Sequence, residues 1–195
     1  MLVAVESLTT VDMPPHKLWT RAECELLERA GVLELERFEL IAGELILKMG
    51  KNYPHMLSLT LLMTWLQSAF GNLFVMPESS IDLHPEDNPT SEPEPDVIVL
   101  NRSMRELSAR PRPADLRLVA EVANTTLSFD LAVKARLYAR AGIAEYWVLD
   151  LRGRRLITHR RPEGGCYLDV VAYSEDEMVS TLGAPAVSIR VGELF

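Results

Sequence analysis

Pro95-Asp96-Val97-Ile98-Val99-Leu100 sets a carboxylate at the head of a short apolar strand, held behind Pro93 and Pro95. A carboxylate at a strand start near solvent is ordinary turn chemistry. It is also where a metal ligand would stand if a second carboxylate came beside it. Glu121, in Arg117-Leu118-Val119-Ala120-Glu121-Val122, is the candidate. If the two stretches pair antiparallel without a slip, residue 100 faces 117, 98 faces 119 and 96 faces 121. Asp96 and Glu121 would then be cross-strand neighbours with β-carbons about 5 Å apart. Like charges at that spacing destabilise each other unless something positive lies between them. A divalent ion with oxygen ligands fits, since Mg²⁺ takes one or two carboxylates and keeps several waters. The spacing is equally compatible with an acidic strand end on a solvated surface.

A positive side chain is available nearby in the chain. Asp130, Lys134 and Tyr138 lie four apart in a helical stretch and share a face. As an exposed pair, Asp130 and Lys134 would contribute only a few tenths of a kcal/mol. If Lys134 instead projects from the inward half of the helix, with Leu131, Ala135 and Tyr138 as buried neighbours, its ammonium could stabilise charge on a phosphate.

These residues need a frame. Thr20-Arg21-Ala22-Glu23 has the spacing of a capping box, and the helix it opens should stop at Gly31. Phe38–Ile41 and Glu44–Leu47 flank Ala42-Gly43, a two-residue hairpin signal. From Tyr53 to Phe70 apolar residues recur at helical spacing, ending at Gly71. Strand-like stretches follow at 73–75, 80–83, 96–100 and 117–122. A helix is expected over 130–141, capped by Ser128 or Asp130 and closed by Gly142, then strands at 145–150, 156–159 and 167–172. Interleaved helices and hairpins predict an α/β fold with a mixed sheet flanked by helices. Residues 1–19, with Met13-Pro14-Pro15, read as an irregular lead-in, and 20–195 as one domain.

Composition narrows the function. The chain has 195 residues, 48% of them apolar, and a net charge of −8. That charge argues against loose nucleic-acid binding over the whole surface but leaves room for a local basic site. Two arginine groups could supply one: Arg102, Arg105, Arg110 and Arg112 in the long 101–116 linker, and Arg152, Arg154, Arg155, Arg160 and Arg161. Cys24 and Cys166 form neither a disulfide framework nor a metal spacing. Met1–Pro15 lacks a basic leader and carries Glu6 and Asp12, and no run nears the roughly 18 apolar residues of a membrane span. A soluble cytoplasmic protein is expected.

The order of these pieces resembles the PD-(D/E)XK nuclease superfamily, and within it the bacterial Uma-type restriction endonuclease family. The resemblance rests on the 38–45 hairpin, His55 at the start of the next helix, Pro95-Asp96 and its strand, the strand bearing Glu121, Asp130, Lys134 and Tyr138, Gly142-Ile143, Glu145–Asp150, and the final Glu193-Leu194-Phe195. It implies a restriction-endonuclease-like fold, DNA as substrate, Mg²⁺ or Mn²⁺ held by Asp96 and Glu121, and Glu39 as a third acidic member. The lysine expected two residues after Glu121 is replaced by Ala123, and Lys134 would take over its catalytic role. Ala123-Asn124-Thr125-Thr126 also departs from the family's usual Ser-Pro-Ser. The expected activity is metal-dependent phosphodiester hydrolysis, with a homodimer as the natural assembly for cutting both strands. The rival expectation is a catalytically silent nuclease fold that binds DNA or protein.

Overall fold

The Thr20 hydroxyl oxygen accepts from the Glu23 amide at 3.3 Å, and the Glu23 carboxylate accepts from the Thr20 amide at 2.9 Å, so both halves of the capping box form. This closes the front of α1 (Arg21–Arg29), and Gly31, at φ +69°, turns the chain away from it. The structure, a computed structural model, describes residues 16–48, 50 and 52–195. The lead-in and leader expectations for residues 1–15 lie outside the described residues.

Strands β1 (Phe38–Ile41) and β2 (Glu44–Leu47) pair antiparallel, with Ile41 opposite Glu44. The two turn residues both have positive φ, 51° at Ala42 and 84° at Gly43, as a hairpin turn of the primed kind requires. Ala42 tolerates this because its amide donates to the Ser91 hydroxyl at 2.9 Å. Helix α2 (Tyr53–Phe70) spans the expected run, capped by the Asn52 side chain and ended by Gly71.

The main sheet has six strands, β3 (Val75–Pro77), β4 (Val97–Leu100), β5 (Leu116–Ala123), β6 (Glu145–Asp150), β7 (Arg155–Glu163) and β8 (Cys166–Ser174), adjacent in that order. Only β5 and β6 run parallel. The crossover between them is helical: α3 (Leu127–Phe129), a π-turn over Asp130–Lys134, and α4 (Ala135–Arg140). A mixed sheet flanked by helices is thus the architecture. Two short strands, β9 (Met178–Ser180) and β10 (Ser188–Arg190), form a separate pair.

Alternation along β5 divides two cores. Val119 and Ala123 pack with Ala135, Leu137 and Tyr138 of α4, while Leu118, Ala120 and Val122 pack with Leu59, Leu62 and Leu66 of α2. Glu121 shares the parity of Val119 and Ala123, so β5 presents it to the α4 side.

Several boundaries differ from expectation. Residues 80–83 form no strand, although Ile81 and Leu83 are buried, and the first short strand is 75–77 rather than 73–75. The crossover helix starts at Leu127, so Ser128 and Asp130 lie inside it and Thr126 is its N-cap. Asp130 instead directs its carboxylate to the Thr126 hydroxyl. The β4–β5 register keeps 97 opposite 120 and 98 opposite 119, but a bulge sets Leu100 against Leu116 rather than 117. The slip lies at the end away from Asp96, so it leaves the carboxylate end in the expected alignment.

Candidate active site

Asp96 sits one residue before β4, and Glu121 lies near the end of the adjacent β5. Both line one cavity of about 220 Å³, together with Glu39, Asp130 and Lys134. The fold therefore gathers Asp96, Glu121, Lys134, Glu39 and Asp130 around one cavity.

Lys134 is the hub. Its ammonium lies 2.9 Å from Glu121 Oε1 and 3.0 Å from Glu39 Oε2, and it is buried. The Tyr138 hydroxyl donates to the same Glu121 oxygen at 3.0 Å. Glu39 is held from its other side, its Oε1 accepting from the Glu94 amide at 2.7 Å. The exposed Asp130–Lys134 pair is not what forms. Asp130 is buried, accepts from Thr126 at 2.6 Å, and its carbonyl accepts from the Tyr146 hydroxyl at 3.2 Å. The π-turn falls on these residues, a distortion common at functional sites.

Ala123 explains how a helix lysine can serve. It faces the same side of β5 as Glu121, fully buried, and its methyl packs in the core beneath α4. The position two residues past Glu121 therefore carries no cation. Lys134 supplies one from the element packed above.

Asp96 Oδ2 accepts from the Val122 amide at 2.8 Å and lies 3.4 Å from His55 Nε2. His55 had no site role assigned from sequence, beyond its place at a helix start. Its approach is set by how the N-terminus of α2 crosses the sheet, which local pattern does not encode.

The electrostatics distinguish the two carboxylates. Burial works to raise Asp96, but the His55 hydrogen bond and charge, the Val122 amide and Lys134 outweigh it and hold the carboxyl below its ordinary range. Burial raises Glu121 strongly; Lys134 opposes this, and Asp96, Asp130 and Glu39 add to it. The mutual repulsion therefore falls on Glu121. Asp130 is likewise pushed up to about 6, by burial first. Burial tends to deprotonate Lys134, yet Glu121, Glu39 and Asp130 more than reverse this and keep it charged. Lys134 is thus suited to hold negative charge and unsuited to act as a base.

Among the described residues the cavity is lined by more acid than base. Glu39, Glu78, Glu94, Asp96, Glu121 and Asp130 line it against Lys48, Lys134 and His55. Oxygen donors with excess negative charge suit a hard divalent cation. Among the described residues no three His, Cys, Asp or Glu side chains are gathered as a ready cage. An ion held by Asp96 and Glu121 alone would complete its shell with water. Neither arginine group reaches this cavity. Arg102 pairs with Asp115 and Arg110 with Glu92, while Arg154, Arg155 and Arg160 pair with Glu175, Asp150 and Glu145.

At one end of the mixed sheet, two strand carboxylates thus meet a lysine that the helical crossover supplies. Residues 23–192 match the Uma2 family, described as "putative restriction endonuclease", and the chain belongs to that family. Among solved structures, one titled a "putative nuclease belonging to DUF820" from Anabaena variabilis superposes with a TM-score of 0.65 at 16% identity. That match covers 87% of this chain and 96% of the other, and it shows the shared fold. No curated protein matches the sequence significantly.

Proposed function

We propose that the protein is a metal-dependent endodeoxyribonuclease, hydrolysing phosphodiester bonds at the Asp96–Glu121–Lys134 cavity. The convergence of Lys134 on Glu121 at 2.9 Å, inside a cavity also lined by Asp96, carries this reading. Asp96 and Glu121 would hold Mg²⁺ or Mn²⁺, which when bound would lower the pKa of water and polarise a phosphoryl oxygen. Asp96 is ready for this role as a carboxylate, fixed by the Val122 amide and His55. Glu121 reaches the carboxylate state when a cation offsets its acidic neighbours. Lys134, kept protonated, would stabilise negative charge growing on the phosphate. Glu39 anchors the lysine from the hairpin and is the third acidic group available to the centre.

Incubation of duplex and single-stranded DNA with Mg²⁺ or Mn²⁺ tests the proposal. Wild type should cut, Asp96→Asn and Glu121→Gln should not, and Lys134→Met should cut far more slowly. At a hundredfold excess over Kd, Mn²⁺ should stabilise wild type by about 2.7 kcal/mol and so raise its melting temperature, and should leave that of Glu121→Gln unchanged. A second reading, a silent nuclease-fold module, is favoured by one observation: Lys134 already bridges Glu39 and Glu121 in a closed ion-pair set. Absence of both cleavage and metal-induced stabilisation would establish it.

A further inference from the structure

We infer that the outward face of α2 is the contact between two copies of this chain, paired antiparallel about a two-fold axis near Thr60 and Leu61. No Asp, Glu, Lys or Arg occurs between Asn52 and Pro77, in a chain that is otherwise 25% charged. A surface helix ordinarily turns a charged or polar face to water; α2 has no charged face, and among the described residues it buries one side, through Ser58, Leu59, Leu62 and Leu66. On the other side Tyr53 is 76% exposed, Met56 55% and Leu57 37%.

The polar residues on that side do little to make it hydrophilic. Thr60 donates to the Met56 carbonyl at 2.7 Å, Thr64 to the Thr60 carbonyl at 2.8 Å, and Ser68 to the Trp65 carbonyl at 2.7 Å. Their donors are spent on the helix itself. What remains for a partner is a stripe at 53, 57, 60 and 64, stepping by four, three and four, the spacing of a helix–helix seam.

The occupant follows from the chemistry and from the order of side-chain sizes. A nucleic-acid backbone requires cations that this face lacks. A membrane-surface helix carries Lys or Arg along its polar side, and among the described residues no helix is long and apolar enough to cross a membrane. The large residues, Tyr53, Met56 and Leu57, occupy the N-terminal half, and the small ones, Thr60, Thr64 and Ser68, the middle and C-terminal half. Antiparallel pairing of two copies sets Tyr53 against Ser68 and Leu57 against Thr64, filling each shallow place with a large side chain. Parallel pairing would oppose Tyr53 to Tyr53 and leave gaps at Thr64. The face is therefore complementary to itself in one orientation. Because the face carries no charge, the −8 of each chain is kept away from the seam. On the proposed nuclease reading, His55 and Asn52 tie each cavity to one end of α2, so the pair would carry its two sites at opposite ends of the seam.

Mass measurement tests the contact without reference to cleavage. By sedimentation equilibrium or light scattering at micromolar concentration with reductant, the full chain should have twice the 21.9 kDa chain mass. Thr60→Arg, which sets two guanidinium groups face to face at the axis, should reduce it to 21.9 kDa with an unchanged circular dichroism spectrum. Thr60→Cys, in a Cys166→Ser background, should cross-link to a covalent dimer on oxidation and remain dimeric when reduced. A monomeric wild type would assign the face to another occupant, residues 1–15 or a different protein, and overturn the inference. So would a Thr60→Arg variant that stays dimeric, or a Thr60→Cys dimer that fails to cross-link.

Discussion

Lys134 touches two carboxylates that have few other partners, so removing it does two separable things. Lys134→Met should lower cleavage by about 10²–10³, the usual effect of losing one electrostatic stabiliser. It should also destabilise the fold by about 3–5 kcal/mol near neutral pH, because Glu39 and Glu121 are left as buried charges without a counterion. Protonation relieves that burden, so the deficit should shrink at pH 5 relative to pH 8 in thermal melts. An equal deficit at both would show that lost packing, not charge, dominates. Asp130 offers a cleaner titration. Its carboxyl is raised to about 6 in the folded state against 3.8 when unperturbed. Below 3.8 both states are protonated and nothing is lost. Between 3.8 and about 6 the unfolded chain releases its proton first, so stability falls as pH rises, by on the order of 2–3 kcal/mol in all. Asp130→Asn keeps an acceptor for the Thr126 hydroxyl. The variant should match wild type at pH 3.5 and be the more stable protein above pH 6.

At the scale of elements, the β1–β2 hairpin matters because it carries Glu39 to the lysine. Gly43 sits at φ +84°, and a β-carbon there would meet Leu18 Cβ at 2.8 Å. Gly31 also has positive φ, +69°, but nothing lies within 4 Å of its added carbon. Gly31→Ala should therefore cost about 1 kcal/mol for backbone strain alone. Gly43→Ala should cost clearly more, because Leu18 or the turn must move as well. Denaturant melts of the two variants should separate strain from collision. The crossover between β5 and β6 does comparable work on the other side. Its π-turn lets Lys134 and Tyr138 converge on one Glu121 oxygen while Asp130 turns to Thr126. Burial and the nearby Glu121 charge keep the Tyr138 phenol protonated and hence a donor. Tyr138→Phe should leave Lys134 in place and reduce cleavage less than Lys134→Met does.

For the whole molecule, the two faces of one sheet have divided duties. The α4 side buries the Lys134 centre, and the α2 side packs Leu59, Leu62 and Leu66 against the sheet and holds a separate buried charge pair, Glu145–Arg160, beside Trp147. The strongly acidic balance sets a further expectation. Arg102, Arg110, Arg140, Arg154, Arg155 and Arg160 are already committed to Glu and Asp partners, and among the described residues the cavity is lined by more acid than base. DNA affinity should therefore depend on the bound metal more than on ionic strength. Titration of a labelled duplex by Glu121→Gln, across 50–200 mM salt, should show weak binding throughout. Tight, steeply salt-dependent binding by that variant would point to a basic surface away from the cavity.

The local pattern was enough for much of this. Capping chemistry at Thr20 and Glu23, the Ala42-Gly43 turn, the α2 run ending at Gly71 and the β6 strand at 145–150 all depend on neighbours within a few residues. Alternation within 97–100 and 117–122 even placed Asp96 opposite Glu121, because strand parity is local and only the pairing had to be supposed. The bulge that shifts residue 100 was invisible, since it answers to packing across the sheet. So was the start of the crossover helix: Ser128 and Asp130 are good caps by type, but the turn closes at Thr126 and Asp130 is drawn inward. The meeting of Lys134 with Glu39, and of His55 with Asp96, spans 95 and 41 residues of chain. No spacing rule reaches that far; only the packing of α4, the hairpin and α2 around one sheet end brings those charges within hydrogen-bonding range.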